Sequence, residues 1–154
     1  MKFLCDEMLK RLGQWLRAAG YDVLMLPDGT SDRELIQKAL EEHRVLVTRD
    51  REMAALANTR VKVTTLDCAD LRDCVRALGR QLAIDWLHAP FSRCMNCNTP
   101  LVDASDEQRR HVPRDALLRA TEVRYCPMCK QLFWDGSHVA RMRERLEDWA
   151  SKSE

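Results

Sequence analysis

Two Cys-x-x-Cys pairs, Cys94-Met95-Asn96-Cys97 and Cys126-Pro127-Met128-Cys129, constrain this chain more than any other feature. Each pair predicts a tight knuckle whose thiolates converge, and two knuckles provide the four soft ligands of a tetrahedral zinc ion. Four thiolates close the coordination shell, so the expected Zn2+, one per chain, is structural rather than catalytic. The intervening segment from Asn98 to Tyr125 has room for a hairpin and a short helix, which makes a zinc ribbon the expected module. Two disulfides or a redox dithiol are the competing uses of the same cysteines, but nothing here resembles a secreted or thioredoxin-like chain. Of the seven cysteines, Cys5, Cys68 and Cys74 lie in apolar-patterned segments and are read as small core residues.

The 154 residues suffice for one domain of ordinary size and a small appended module. We place the boundaries at 1–84 for the first domain, 85–92 for a connector and 93–154 for the ribbon with its terminal helix. A segment of roughly sixty residues rarely buries enough apolar surface to fold alone, so zinc would supply what its core lacks. No apolar run approaches a membrane span, and the start Met1-Lys2-Phe3-Leu4-Cys5-Asp6 turns acidic too early for a signal peptide. A cytoplasmic protein with no membrane partner is expected. The net charge of +1 creates no global field for nucleic acid, although local patches steer ligands as well. Two patches qualify: Arg109, Arg110, His111 and Arg114 with Arg119 and Arg124, and Arg141, Arg143 and Arg145. The latter is equally a solvated face balanced by Glu144, Glu147 and Asp148.

The first half alternates short aliphatic runs with helical patterns, the rhythm of a parallel sheet flanked by helices. Strands are expected at 2–5, 21–26, 44–48 and 61–66, with helices at 7–19, from Ser31 to about His43, 51–57 and 69–82. Gly20 stands where a helix C-cap belongs, and Ser31 with Glu34 spells a capping box. In the second half, strands are expected near Leu101-Val102 and over Gln131–Trp134, and a short helix over Pro113–Ala120. Ser137 is expected to cap a last helix that places Val139, Met142, Leu146 and Trp149 on one face against the ribbon or the first domain.

Aspartates mark the places where an open α/β sheet carries its active site, the carboxyl ends of strands. Asp6 ends the first strand, Asp50 the third and Asp67 the fourth, while Asp32 opens the helix after the second. Gathered carboxylates repel one another unless a cation neutralises them. Hard divalent metals with oxygen ligands, Mg2+ or Mn2+, suit that need and the hydrolysis of phosphate esters. Aspartate is also a preferred helix N-cap, and Asp6, Asp50 and Asp67 each precede a helix, so capping stands as the alternative role.

At these residues the sequence resembles a known family. Phe3 to Leu9, Leu12 to Arg17 and Gly20-Tyr21-Asp22 are similar to the opening of the mut-seven C-terminal RNase domain. Ser31-Asp32 and Val47-Thr48-Arg49-Asp50 match its next blocks, and Cys126 to Cys129 followed by Phe133 to His138 and Arg141-Met142 match its ending. The resemblance covers nearly the whole chain. It implies an α/β fold with a PIN-like three-layer α/β/α domain on a parallel sheet, plus a small C-terminal zinc ribbon. It also implies metal-dependent RNase activity, with Asp6, Asp32 and Asp50 as the acidic positions and Asp67 as a fourth member that aligns less securely. Cys5 departs from the pattern, where a small residue such as alanine is usual. Asp22 matches but begins a strand, so its role is read as structural.

The expected function is therefore a ribonuclease that holds Mg2+ or Mn2+ on Asp6, Asp32, Asp50 and Asp67. RNA is the expected partner, contacted by Arg49, Arg109, Arg110, Arg114, His138 and Arg141. For Arg49 a salt bridge to a neighbouring carboxylate is favoured over a phosphate contact. Phe133 and Trp134 offer faces for unpaired bases, or they form the small core of the ribbon. The alternative from a different class is a catalytically silent zinc-ribbon adaptor for RNA or ribonucleoprotein. A toxin would share the chemistry and require a cognate inhibitor. A DNA-directed nuclease would differ only in its treatment of the 2′-hydroxyl. A homodimer is compatible with each of these.

Overall fold

A computed structural model describes residues 1–57 and 59–152, so the last two residues of the expected 93–154 segment lie outside it. Four strands, β1 (Lys2–Cys5), β2 (Asp22–Leu24), β3 (Val45–Thr48) and β4 (Val63–Thr65), form an all-parallel sheet in the order β2-β1-β3-β4. β1 and β3 are buried along almost their whole length, as expected for central strands covered on both faces. The strands are shorter than the apolar runs predict, because the ends of 21–26 and 61–66 extend beyond the ladder.

Side-chain alternation sorts the helices onto the two faces. Phe3, Cys5, Val23, Val45 and Val47 point to one face and pack with α1 (Lys10–Ala18), α4 (Leu71–Gln81) and α7 (Ser137–Ser151). Leu4 and Leu46 point to the other and pack with α2 (Asp32–Glu41) and α3 (Arg51–Leu56). The helix starts follow local chemistry. Ser31 and Glu34 make the predicted capping box, and Asp70 caps α4. Asp6 caps a 3-10 turn, Glu7–Leu9, that leads into α1, so the predicted single helix 7–19 has a tighter first turn.

The connector is part of the core. Ile84 and Trp86 are buried with α1 and α7, and Trp149 meets Trp15 and Trp86 edge to face at 4.8 and 5.0 Å. Backbone bonds from Ala89 N–H to Ala19 O and from Phe91 N–H to Ala18 O bring this segment against the end of α1. Ala19 is the C-cap of α1, and Gly20, the predicted cap, follows it with a φ of +99° that excludes most side chains; a β-carbon on Gly20 would also lie 2.3 Å from Ala89 O.

The second module is an antiparallel sheet, β5 (Val102–Asp103), β6 (Val123–Cys126) and β7 (Gln131–Trp134), in the order β5-β6-β7. Two short helices, α5 (Asp106–Arg109) and α6 (Arg114–Arg119), lie between β5 and β6. α5 is an addition to the predicted elements, although Ser105 and Gln108 form a capping box that is visible in the charged stretch. Gly136, not Ser137, occupies the N-cap position of α7. α7 sends Met142, Leu146 and Trp149 into the core of the parallel sheet, so the chain's last helix returns to its first domain.

Cys68 and Cys74 require a correction. Both are buried, as expected of core cysteines, but they are joined as a disulfide between the end of the β4 segment and the first turn of α4. Cys5 is a free buried thiol. Its pKa is pushed up to about 12 by burial and then by the charge of Asp6, which keeps it protonated and inert.

Candidate active site and metal centre

β1 and β3 are neighbours, yet their outgoing connections diverge: β1 leads to α1 on one face and β3 to α3 on the other. Such a switch in direction opens a crevice at the carboxyl ends of the two strands. Asp6 and Asp50 border it. Asp6 is only 3% exposed. Its Oδ1 accepts a bond from Met8 N–H at 2.9 Å, and its Oδ2 accepts from the Thr48 hydroxyl and, at 3.3 Å, from Arg49 N–H. Thr48 links the two acids, because its Oγ1 also accepts from Asp50 N–H at 2.9 Å. Asp50 caps α3 through Oδ1 alone, which accepts from Glu52 and Met53 N–H at 2.7 and 3.2 Å. No hydrogen bond occupies Asp50 Oδ2 among the described residues. Both aspartates therefore do the capping that their positions allow, and Asp50 keeps an oxygen for another ligand.

The other two predicted acids stand apart. Asp32 is the first residue of α2, half-buried behind the Ser31 cap. Asp67 has a side chain 98% exposed, with an ion pair to Arg51 at 3.8 Å. Among the described residues, no three of these aspartates converge as the four cysteines do. Glu7 is a neighbour missed in the sequence. Its Oε2 accepts from Gly29 N–H at 2.9 Å, and Lys10 pairs with Asp28, so the loop after β2 is tied to the turn after β1. The Glu7 to Gly29 bond links residues distant in sequence, and periodicity carries no sign of it.

The thiols of Cys94, Cys97, Cys126 and Cys129 lie within 4.8 Å of one another. Cys94 and Cys129 are separated by 3.9 Å and Cys97 and Cys126 by 3.5 Å. A tetrahedron with Zn–S of about 2.3 Å has sulfur separations of about 3.8 Å, so the cluster could hold a zinc ion. The knuckles repeat one design. Asn98 N–H bonds to Cys94 O and Lys130 N–H to Cys126 O, both at 2.8 Å, and Asn98 and Lys130 share a positive φ. Burial alone would raise the Cys97 thiol, but hydrogen bonding with the Thr99 side chain and backbone brings it down to about 6. Cys129 is pushed up to about 12, first by its interaction with Cys97 and then by desolvation. A divalent cation bound here would displace the protons that the thiols carry.

The knuckle docks on the free edge of β2. Arg17 is buried on α1, and its guanidinium donates to Val23 O at 2.9 and 2.8 Å, Met95 O at 2.9 Å and Asn96 O at 2.8 Å. Burial lowers its pKa, opposed by the Cys5, Cys97 and Cys94 thiols and Asp22. Asn98 completes the seam by accepting from Val23 N–H at 2.9 Å and donating to Asp22 Oδ1 at 2.8 Å. Asp22 also receives Arg44 at 2.7 Å. Its place at the amino end of β2 agrees with a structural role, far from the crevice.

The predicted RNA contacts scatter. Arg49 is exposed beside the crevice, and its guanidinium forms no ion pair among the described residues, contrary to the favoured salt bridge. Arg109 donates to Ala104 O at 3.2 Å, while Arg110 and Arg114 are exposed on and beside the short helices. His138 and Arg141 are exposed on the first turns of α7.

The sequence profile of the Mut7-C RNAse domain matches residues 1–146. The chain belongs to the Mut7-C RNAse domain family. A human protein described as "Exonuclease mut-7 homolog" is 30% identical over 145 residues, which covers 89% of this chain and 14% of that protein. This Mut7-C chain therefore spans about a seventh of the length of that relative. Both descriptions point to nuclease chemistry. No solved structure matches the chain. Among the described residues of this Mut7-C domain, no helix is long and apolar enough to cross a membrane.

Proposed function

We propose that this Mut7-C domain is a metal-dependent ribonuclease with a PIN-like sheet domain, and that its zinc ribbon assists RNA binding. The observation that carries the proposal is the pairing of Asp6 and Asp50 across Thr48 at the crevice between β1 and β3, in a chain of an RNase-domain family. The donor set fits a hard cation. Carboxylate oxygens on adjacent strands, one of them unengaged, match the one or two carboxylates that a magnesium site takes beside water and phosphate. A bound Mg2+ or Mn2+ would supply positive charge that polarises a phosphodiester and activates its attacker.

The chain's own residues do the positioning. The Thr48 hydroxyl and the Met8 and Arg49 amides hold the Asp6 carboxyl group in one orientation. The α3 amides fix Asp50 Oδ1, and Oδ2 carries no hydrogen bond among the described residues. Arg49, exposed and without an ion pair among the described residues, is placed to meet a backbone phosphate. Asp32, on α2, and Asp67, after β4, stand apart from this pair, and the reading does not depend on them. Four thiolates would hold structural zinc at the knuckles.

One observation favours the silent adaptor: Asp6 and Asp50 already serve as caps. Incubation of total RNA with added Mn2+ or Mg2+ separates the two. The nuclease reading expects cutting by wild type that Asp6→Asn and Asp50→Asn abolish at equal zinc content. Equal behaviour of all three proteins, with RNA still bound, would establish the adaptor instead.

A further inference from the structure

A groove of about 300 Å³ opens where the ribbon meets α7 and α1, away from the aspartates. Its walls include Phe91, Phe133 and Trp134, and its polar lining includes Arg93, Arg124 and Arg143. The register of β6 and β7 sets Arg124 directly opposite Phe133. Tyr125, Leu132, Trp134 and Val123 pack on the ribbon's own apolar cluster, whereas Phe133 belongs to none of the three cores among the described residues. An aromatic ring half-buried in a groove, with no core to fill, has a face left for a ligand. Arg143 already stacks over Phe91 at 5.2 Å, so a cation and an aromatic plane are set side by side on the opposite wall.

The charges select the occupant. The acids of the groove, Glu122 and Asp135, are engaged: Glu122 pairs with Arg124 at 3.6 Å, and Asp135 accepts from Thr121 and from Glu122 N–H. Arg93 donates one bond to Asn98 O, which leaves donors of its fork unspent. Among the described residues, Arg143 makes the ring contact with Phe91 alone. The groove thus combines apolar walls, aromatic faces and net positive charge at the rim.

We infer that this groove is a subsite for an unpaired nucleobase of single-stranded nucleic acid, with the base stacked on Phe133 and its flanking phosphates met by Arg93, Arg124 and Arg143. The inference rests on the proposed nuclease reading and gives the ribbon its task. Gln14, which lines the groove, lies about 6 Å along α1 from Lys10, where the helix opens beside Asp6. A single strand held at the groove can therefore follow α1 toward the crevice. Stacking tolerates any base, so the subsite would give grip without sequence choice.

The test compares the zinc-loaded chain on a fluorescent oligouridylate of about ten nucleotides with an equally charged strand carrying internal abasic sites. No Mg2+ or Mn2+ is added, so binding is read apart from cutting. Wild type should prefer the base-containing strand about ten-fold. Phe133→Leu should erase that preference and keep the affinity for the abasic strand, while Phe133→Tyr should restore it. Trp134 emission should be quenched only by the base-containing strand. Equal affinity of wild type for both strands, or a full preference retained by Phe133→Leu at normal zinc content, overturns the subsite. Loss of cutting by Asp50→Asn under Mn2+ would then still stand for the nuclease, and base preference without any cutting would leave the subsite standing and the nuclease not.

Discussion

The two halves of this chain use the same residue type to opposite ends. In the parallel-sheet half, Cys5 is a buried neutral thiol and Cys68 is bonded to Cys74, on top of two extensive apolar clusters. In the ribbon half, the ribbon's own apolar cluster is built on three buried residues, Ala104, Val112 and Val123, and four thiols meet at one point. A sheet wrapped by helices is stabilised by area removed from water, whereas a three-stranded ribbon of this size needs a cross-link. The four cysteines, which could hold a zinc ion, would supply that cross-link, and Arg17 fastens their first knuckle to the larger half through main-chain carbonyls.

Metal removal should separate the halves most. Chelation, or Cys126→Ser at the buried ligand, should bring zinc from one ion per chain to near none and unfold the ribbon, by roughly 10 kcal/mol of lost metal binding free energy. Elemental analysis with limited proteolysis reads this, and cleavage should fall within the ribbon while the first domain resists. A ribbon that stays protected without metal would make its small core sufficient by itself.

Activity should divide the halves the other way. Asp50→Asn should lower cutting of RNA by about a hundred-fold or more while zinc content is unchanged, since an amide oxygen carries no charge for a divalent cation. A variant that cuts as well as wild type would move the chemistry out of the crevice.

The seam comes next. Arg17→Met should destabilise by roughly 3 kcal/mol, because carbonyls of Val23, Met95 and Asn96 lose their donor in a buried place. Urea unfolding should then show two transitions in place of one. A single transition at the wild-type midpoint would remove Arg17 from the seam.

Reduction of Cys68–Cys74 should cost the sheet half about 2 kcal/mol, as expected for a loop this short, and leave the ribbon's zinc in place. Thermal melting with and without phosphine, with Cys74→Ala as the control, measures it. The smallest effect concerns Asp22. Burial would raise its carboxyl, but hydrogen bonds from Arg44 and Asn98 outweigh this and hold it below the usual carboxylate range. A depressed folded pKa contributes stability that is present above the unfolded value of about 3.9 and is lost as pH falls through the folded one. Wild type should lose midpoint stability as pH drops below about 4, and Asp22→Asn should flatten that slope.

Much of this was legible along the chain. The helix starts at Ser31 and Asp50, the end of α1 before Gly20 and the positions of the four parallel strands follow from patterns a few residues long. The capping role of Asp6 and Asp50 was visible as well, since a side chain before a helix reaches its first amides wherever the helix packs. The crevice was legible only as strand ends; that β3 lies beside β1, with β2 at the edge, is a matter of topology. The charged stretch after β5 hid α5, because a four-residue helix leaves too short a period to detect.

What the sequence by itself determined are the features whose partners lie close in the chain: element types, caps, and the knuckles whose ligands are spaced for one ion. Tertiary structure alone decided the rest. It joined Cys68 to Cys74 instead of leaving two core thiols, returned α7 to the sheet, buried Trp86 of the connector and turned Arg17 toward Met95 and Asn96. Each of these depends on a contact whose partner is chosen by the packing of other elements, and a residue's own neighbours in sequence carry no record of that choice.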